Sequence, residues 1–140
     1  MSSAPLASVR LFSTDLDGTL IGNPESTLRF KQAWESLPMA SRPVLVYNSG
    51  RLAKDTYAFI ANRTLPEADY IIGGVGTELF DVKKQATLPE FTAQFGEGWD
   101  LAKVEEIVGH MNGVERQPPA FLHPYKSSWY WRRVDREKIP

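Results

Sequence analysis

Val44-Leu45-Val46-Tyr47 is apolar at every position, where a half-exposed strand would alternate; Pro43 introduces the run and Ser49-Gly50-Arg51 ends it. A strand of that kind is covered on both faces, which is the habit of a parallel sheet flanked by helices. Two further runs have the same punctuation. Val9-Arg10-Leu11-Phe12-Ser13-Thr14 runs into an acidic, glycine-containing turn, and Tyr70-Ile71-Ile72-Gly73 is finished by Gly73, Gly74 and Gly76. Both read as strands.

The segments between them carry helical spacing. Leu28, Phe30, Ala33, Trp34 and Leu37 follow the breaker Asn23-Pro24-Glu25-Ser26 and stop at Pro38, and a second helix is expected from about Leu52 to Asn62. Strands alternating with helices predict βαβ units, hence an α/β fold with a Rossmann-like parallel sheet. Ligands in such sheets gather beyond the carboxyl ends of the strands. Asp15, Ser49 and the segment 73–78 all lie there.

The pattern changes after Asp81, so a boundary is expected between residues 1–81 and 82–140. Lys83-Lys84-Gln85 is a polar patch, a helix is expected from Trp99 to Met111, and Ser127 to Val134 reads as a strand. Trp129 and Trp131 share a face of that strand with Arg133 in line, and packing on a neighbouring helix suits them better than stacking on a sugar ring.

Composition narrows the partners. With 16 basic and 17 acidic residues the net charge is −1, which gives no electrostatic reason to expect nucleic acid or an anionic membrane. No cysteine is present, which excludes disulfides and thiolate metal sites and favours an intracellular setting. No apolar run reaches the length of a membrane span and the first eight residues lack a secretory apolar stretch, so the expected location is cytoplasmic.

Three groups could carry chemistry. Asp15 and Asp17 are two apart, and in extended chain both carboxylates project to one side. Gly18 permits a sharp turn and Thr19 adds a hydroxyl. Adjacent carboxylates repel unless a cation relieves them; a hard divalent ion such as Mg²⁺ does so and also neutralises phosphate. One carboxylate can then attack phosphorus while the other manages the leaving-group proton. The same residues also make an ordinary turn. Ser49-Gly50-Arg51, between a buried strand and a helix, suits a phosphate cradle built from backbone N–H groups and a positive helix end, or a simple N-cap. Val75-Gly76-Thr77-Glu78 could admit a ligand closely, or only need φ > 0. Lys126 could bind a phosphate or a sugar hydroxyl, or lie solvated on the surface.

Taken together, the strand-plus-D-L-D-G-T-L block resembles the first motif of the haloacid dehalogenase superfamily of phosphohydrolases, and V-L-V-Y-N-S-G-R resembles the second. The spacing from S-G-R to A-D-Y-I-I-G-G-V-G-T-E-L-F is similar to the sucrose-phosphate phosphatase group, as are W-D-L-A-K-V and H-P-Y-K-S-S-W-Y-W, which look like the start of that group's inserted α/β cap. The resemblance implies a magnesium-dependent phosphatase that hydrolyses a phosphorylated sugar through an aspartyl-phosphate. Asp15 would be the nucleophile and a metal ligand. Asp17 would be the general acid and base, with its main-chain carbonyl on the metal. Ser49 would hold the phosphoryl oxygens and Thr19 would steady the loop. Gly50, Arg51, Gly76, Thr77, Glu78 and Lys126 would face the substrate.

The superfamily completes its site with a later lysine and a G-D-x-x-N-D cluster, and nothing after Val134 matches either. The expectation is therefore the N-terminal portion of the core followed by an incomplete cap. A non-catalytic sugar-phosphate-binding relative, and a phosphatase or phosphomutase for another metabolite, remain alternatives. The sugar and the oligomeric state are not specified by these residues.

Overall fold

The computed structural model describes residues 8–132. Arg133 and Val134, expected in the last strand, lie outside the described residues. The chain forms two compact units that divide between Leu88 and Pro89.

The first unit is built on a sheet of order β1-β2-β3-β4-β5. β1 (Leu11–Thr14), β2 (Val44–Asn48) and β3 (Tyr70–Gly73) are parallel, with Leu11 opposite Val44 and Tyr47 opposite Ile71. α1 (Pro24–Ser36) and α2 (Ala53–Ala61) make the two crossovers. Asn23 starts α1 by accepting from the Ser26 amide at 3.0 Å, with proline next in the chain, as an N-terminus prefers.

Two strands beyond the expected three are present in this sheet. β4 (Glu78–Asp81) and β5 (Ala86–Thr87) extend the sheet by antiparallel hairpins, so it does not stop at three strands. The reason is local: the glycine turn after β3 is tight enough to send the chain straight back, with Gly73 opposite Glu78. The domain boundary moves with it, from Asp81 to Leu88, because the β4–β5 hairpin is hydrogen-bonded into the first sheet.

Register shows which face is covered. Phe12, Leu45, Tyr47, Ile71 and Phe80 share one side of the sheet. Phe30 of α1 stacks on Phe12 with Trp34 tilted against the same ring, and Tyr57 of α2 meets Phe80. Both helices thus lie on the same face, as right-handed crossovers advancing in one direction require. Leu16, Leu45, Tyr47, Leu65 and Ile71 are the sealed centre of this core. On the other side Leu11 is 58% and Val44 38% exposed. β1 ends the strand order, so its outer edge is unpaired among the described residues.

The second unit contains α3 (Pro89–Thr92), α4 (Leu101–Gly109) and an antiparallel pair, β6 (Val114–Arg116) with β7 (Trp129–Trp131). Asp100 caps α4 by accepting from the Lys103 amide at 3.0 Å. Arg116 ties β6 to α4 through Glu105 at 2.5 Å. Trp129 packs on the end of α4, where a Cβ at Gly109 would meet its ring at 3.5 Å. That is the helix-packing role expected for it. No helix of the described residues is long and apolar enough to cross a membrane.

Candidate active site

The site begins where β1 stops. Beyond Thr14 the amides of Thr19, Leu20 and Ile21 all donate to the Leu16 carbonyl, at 3.1, 2.9 and 2.8 Å, and Gly18 takes φ +77 to close the turn. Leu16 is 0% exposed and anchors this loop in the core. Its neighbours Asp15 and Asp17 are consequently left at the surface. The Thr19 hydroxyl donates to Asp15 Oδ2 at 2.9 Å, so Thr19 steadies the Asp15 carboxylate itself.

Asp15 lies on the wall of an open cleft of about 470 Å³ at the carboxyl ends of β1, β2 and β3. Ser49, Gly50 and Gly76 of the expected residues line the same cleft. Ser49 is buried; its amide continues the sheet to the Ile72 carbonyl at 2.9 Å, and its Oγ accepts from the Arg51 amide at 3.1 Å. It does not cap α2. That role falls to Glu78, whose Oε2 accepts from the Ala53 amide at 2.8 Å across the fold. The positive end of α2 therefore already faces a carboxylate, where the sequence suggested a seat for an anion. The Thr77 hydroxyl donates to the Gly74 carbonyl at 2.7 Å and fixes the turn after β3.

Asp17 does not join Asp15 on the cleft wall. The projection of both carboxylates to one side presumes extended chain, and the strand ends at Thr14. Arg51 takes Asp17 instead, with Nε to Oδ2 and Nη2 to Oδ1 both at 2.7 Å. This fork holds the Asp17 carboxyl below the usual carboxylate range and raises Arg51 in turn. The guanidinium also lies over the Phe59 ring at 5.3 Å. Lys126 belongs to the second unit, where its Nζ donates to the Phe121 carbonyl at 3.4 Å.

Asn48, Ile72 and Val75 complete the cleft; Val75 falls in the 73–78 segment expected there, whereas Asn48 and Ile72 were not singled out. Asn48 was legible in principle, because it is the last residue of β2 and strand ends line ligand sites. Val75 carried the same strand-end signal through its segment, but its own side chain, an apolar group inside a glycine turn, gave no chemical reason to name it. A second cleft, of about 420 Å³ and lined by Trp34, Arg42, Asp69 and Lys83 among others, sits at the opposite ends of the strands and brings together none of the expected groups.

As chemistry, the first cleft offers a surface carboxylate steadied by one hydroxyl, a buried serine, and glycines that admit a tetrahedral group closely. Among the described residues no three acidic or histidine side chains cluster to hold a metal.

The sucrose-6F-phosphate phosphohydrolase family model matches residues 8–140. Mannosylfructose-phosphate phosphatase of Agrobacterium fabrum is 43% identical over 127 residues, covering 91% of this chain and 51% of that protein. The crystal structure of the sucrose-phosphatase from Synechocystis in complex with sucrose and phosphate matches with a TM-score of 0.75 at 21% identity, covering 89% of this chain and 49% of the other. That likeness shows a common α/β fold. The chain spans about half the length of both proteins.

Proposed function

Since the chain belongs to the sucrose-6F-phosphate phosphohydrolase family of haloacid dehalogenase-type enzymes, we propose that it carries the nucleophile of a magnesium-dependent phosphatase for a phosphorylated sugar. The observation that supports this most is the convergence of Asp15, Ser49 and Gly50 on one cleft at the carboxyl ends of parallel strands.

In this reading the Asp15 carboxylate attacks phosphorus, the bond from phosphorus to the sugar oxygen breaks, and an aspartyl-phosphate forms. Asp17 gives the leaving oxygen its proton. It then takes a proton from the water that attacks the aspartyl-phosphate, which returns Asp15 as a carboxylate and releases phosphate. The Ser49 hydroxyl and backbone amides around Gly50 hold the phosphoryl oxygens. The Arg51 fork on both oxygens of Asp17 favours the ionised carboxylate, so loosening that contact eases the proton uptake this role needs. A phosphate group competes for the same guanidinium.

Magnesium takes hard oxygen donors and usually binds through one or two carboxylates together with waters and substrate phosphate. The Asp15 carboxylate and the Asp17 main-chain carbonyl are donors of that class and fit part of such a shell. When bound there, the ion supplies charge neutralisation for phosphate and nucleophile. The substrate class is a phosphorylated disaccharide, following the names of the two relatives.

The test is release of inorganic phosphate from sucrose phosphate and mannosylfructose phosphate, with and without Mg²⁺. The expected result is release that needs Mg²⁺ and disappears in Asp15→Asn. Release undiminished in that variant contradicts the assignment.

A further inference from the structure

Val75 is the one β-branched residue at positive φ among the described residues, at +61°. Gly74 and Gly76 on either side stand at +57° and +88°, so a left-handed segment is carried through a residue ill suited to it. Strain of this kind persists only where the surroundings enforce it. Here they do. The Gly74 amide donates to the Arg51 carbonyl at 2.7 Å, and the amides of Gly76 and Thr77 donate to the Gly73 carbonyl at 3.0 and 3.1 Å. Gly73 in turn lies so close to α2 that an added Cβ would be 2.6 Å from the Ala53 nitrogen. The turn cannot relax by drifting away from the β2 loop.

Burial does not compensate for the strain, because Val75 is 69% exposed. What the conformation achieves is placement. The isopropyl group stands on the wall of the Asp15 cleft, and its Cγ2 would be 3.9 Å from a Cβ built on Gly50. An isopropyl group offers a phosphate dianion no hydrogen bond. It can offer apolar contact to carbon, which is what the rest of a sugar phosphate presents beside its hydroxyls.

We propose that Val75 is a specificity-determining residue that packs against the C–H face of the sugar and makes the cleft prefer a sugar phosphate over bare phosphate. The proposal rests on the reading that the Asp15 cleft takes a phosphate ester. A site whose wall is strained for binding and not for stability gains stability when the strain is removed and loses selectivity with it.

Calorimetric titration with inorganic phosphate and with sucrose phosphate, both in Mg²⁺ and all in an Asp15→Asn background so that no ester is turned over, tests this alongside thermal melting. Val75→Gly and Val75→Asn, two residues that accept the left-handed region, are expected to melt no lower than the Asp15→Asn parent. They are expected to bind inorganic phosphate within about twofold of that parent and to lose about fivefold or more in affinity for sucrose phosphate, a loss in line with removal of one buried apolar contact. An unchanged ratio of the two affinities in either folded variant overturns the proposal, as does a parent that binds both ligands equally. A parent that binds neither ligand contradicts the phosphatase reading itself, and this inference falls with it.

Discussion

Arg51 closes on Asp17 in a two-pronged contact, Nε to Oδ2 and Nη2 to Oδ1, both at 2.7 Å, joining the loop after β2 to the loop after β1 across 34 positions of sequence. Such a fork fixes orientation as well as charge, and a lysine could not reproduce it. Arg51→Ala is therefore expected to raise the Asp17 carboxyl towards the ordinary range, because the hydrogen bonds that favour its ionised form are gone. Carboxyl-carbon NMR titration of both proteins checks this; an Asp17 midpoint that stays put or falls would show that the pair does not form in solution.

Acid stability follows from the same sign. Asp17 and Asp81 both have depressed carboxyl pKa values, Asp17 through Arg51 and Asp81 first through the Lys84 amide that donates to it at 2.9 Å. A depressed folded value means that the unfolded chain binds more protons in acid. The contribution is thus fully present above the unfolded carboxyl pKa of about 3.9 and is lost as pH falls through the lower folded values. Urea midpoints from pH 7 to pH 3 should fall most steeply at the acid end, and Asp81→Asn should flatten that fall. A midpoint independent of pH below 4 contradicts the account.

Glu78 and Gly73 brace α2 against the sheet. The Glu78 carboxylate caps the Ala53 amide, and Gly73 leaves room for that approach. Glu78→Ala is expected to cost about 1 kcal/mol, the worth of a helix cap. Gly73→Ala should cost more, about 1–3 kcal/mol, since its Cβ would fall 2.6 Å from the Ala53 nitrogen and 2.9 Å from Glu78 Oε2. Denaturant unfolding measures both, and a neutral Gly73→Ala would mean that α2 is not held this close.

Much of this was legible in the sequence, and the rest was hidden for physical reasons. Val44 to Tyr47 announced a strand of a parallel sheet, and β2 with its parallel neighbours follows; full cover on both faces does not, because both crossover helices lie on one side and Val44 is exposed on the other. Asp15, Ser49, Gly50 and Gly76 were placed at the cleft by the rule that strand ends carry sites. The Arg51–Asp17 pair was not legible, because periodicity and spacing report contacts within an element and not between loops. The antiparallel strands β4 and β5 were missed because Glu78 to Asp81 mixes charged and apolar residues without a clear period. Glu78 looked like a ligand-facing acid on motif alone, whereas its carboxylate serves as the cap of a helix that begins at Ala53, 25 positions away.

If Asp15 is the attacking group, its phosphorylated form can be trapped. The protein is mixed with sucrose phosphate and Mg²⁺, quenched in acid during turnover, reduced with borohydride and examined by peptide mass spectrometry. Reduction converts an acyl-phosphate to an alcohol and leaves a free carboxylate untouched, so the account predicts the modification at Asp15 alone and none in Asp15→Asn. Turnover with the modification at another residue, or with no modified residue at all, contradicts it.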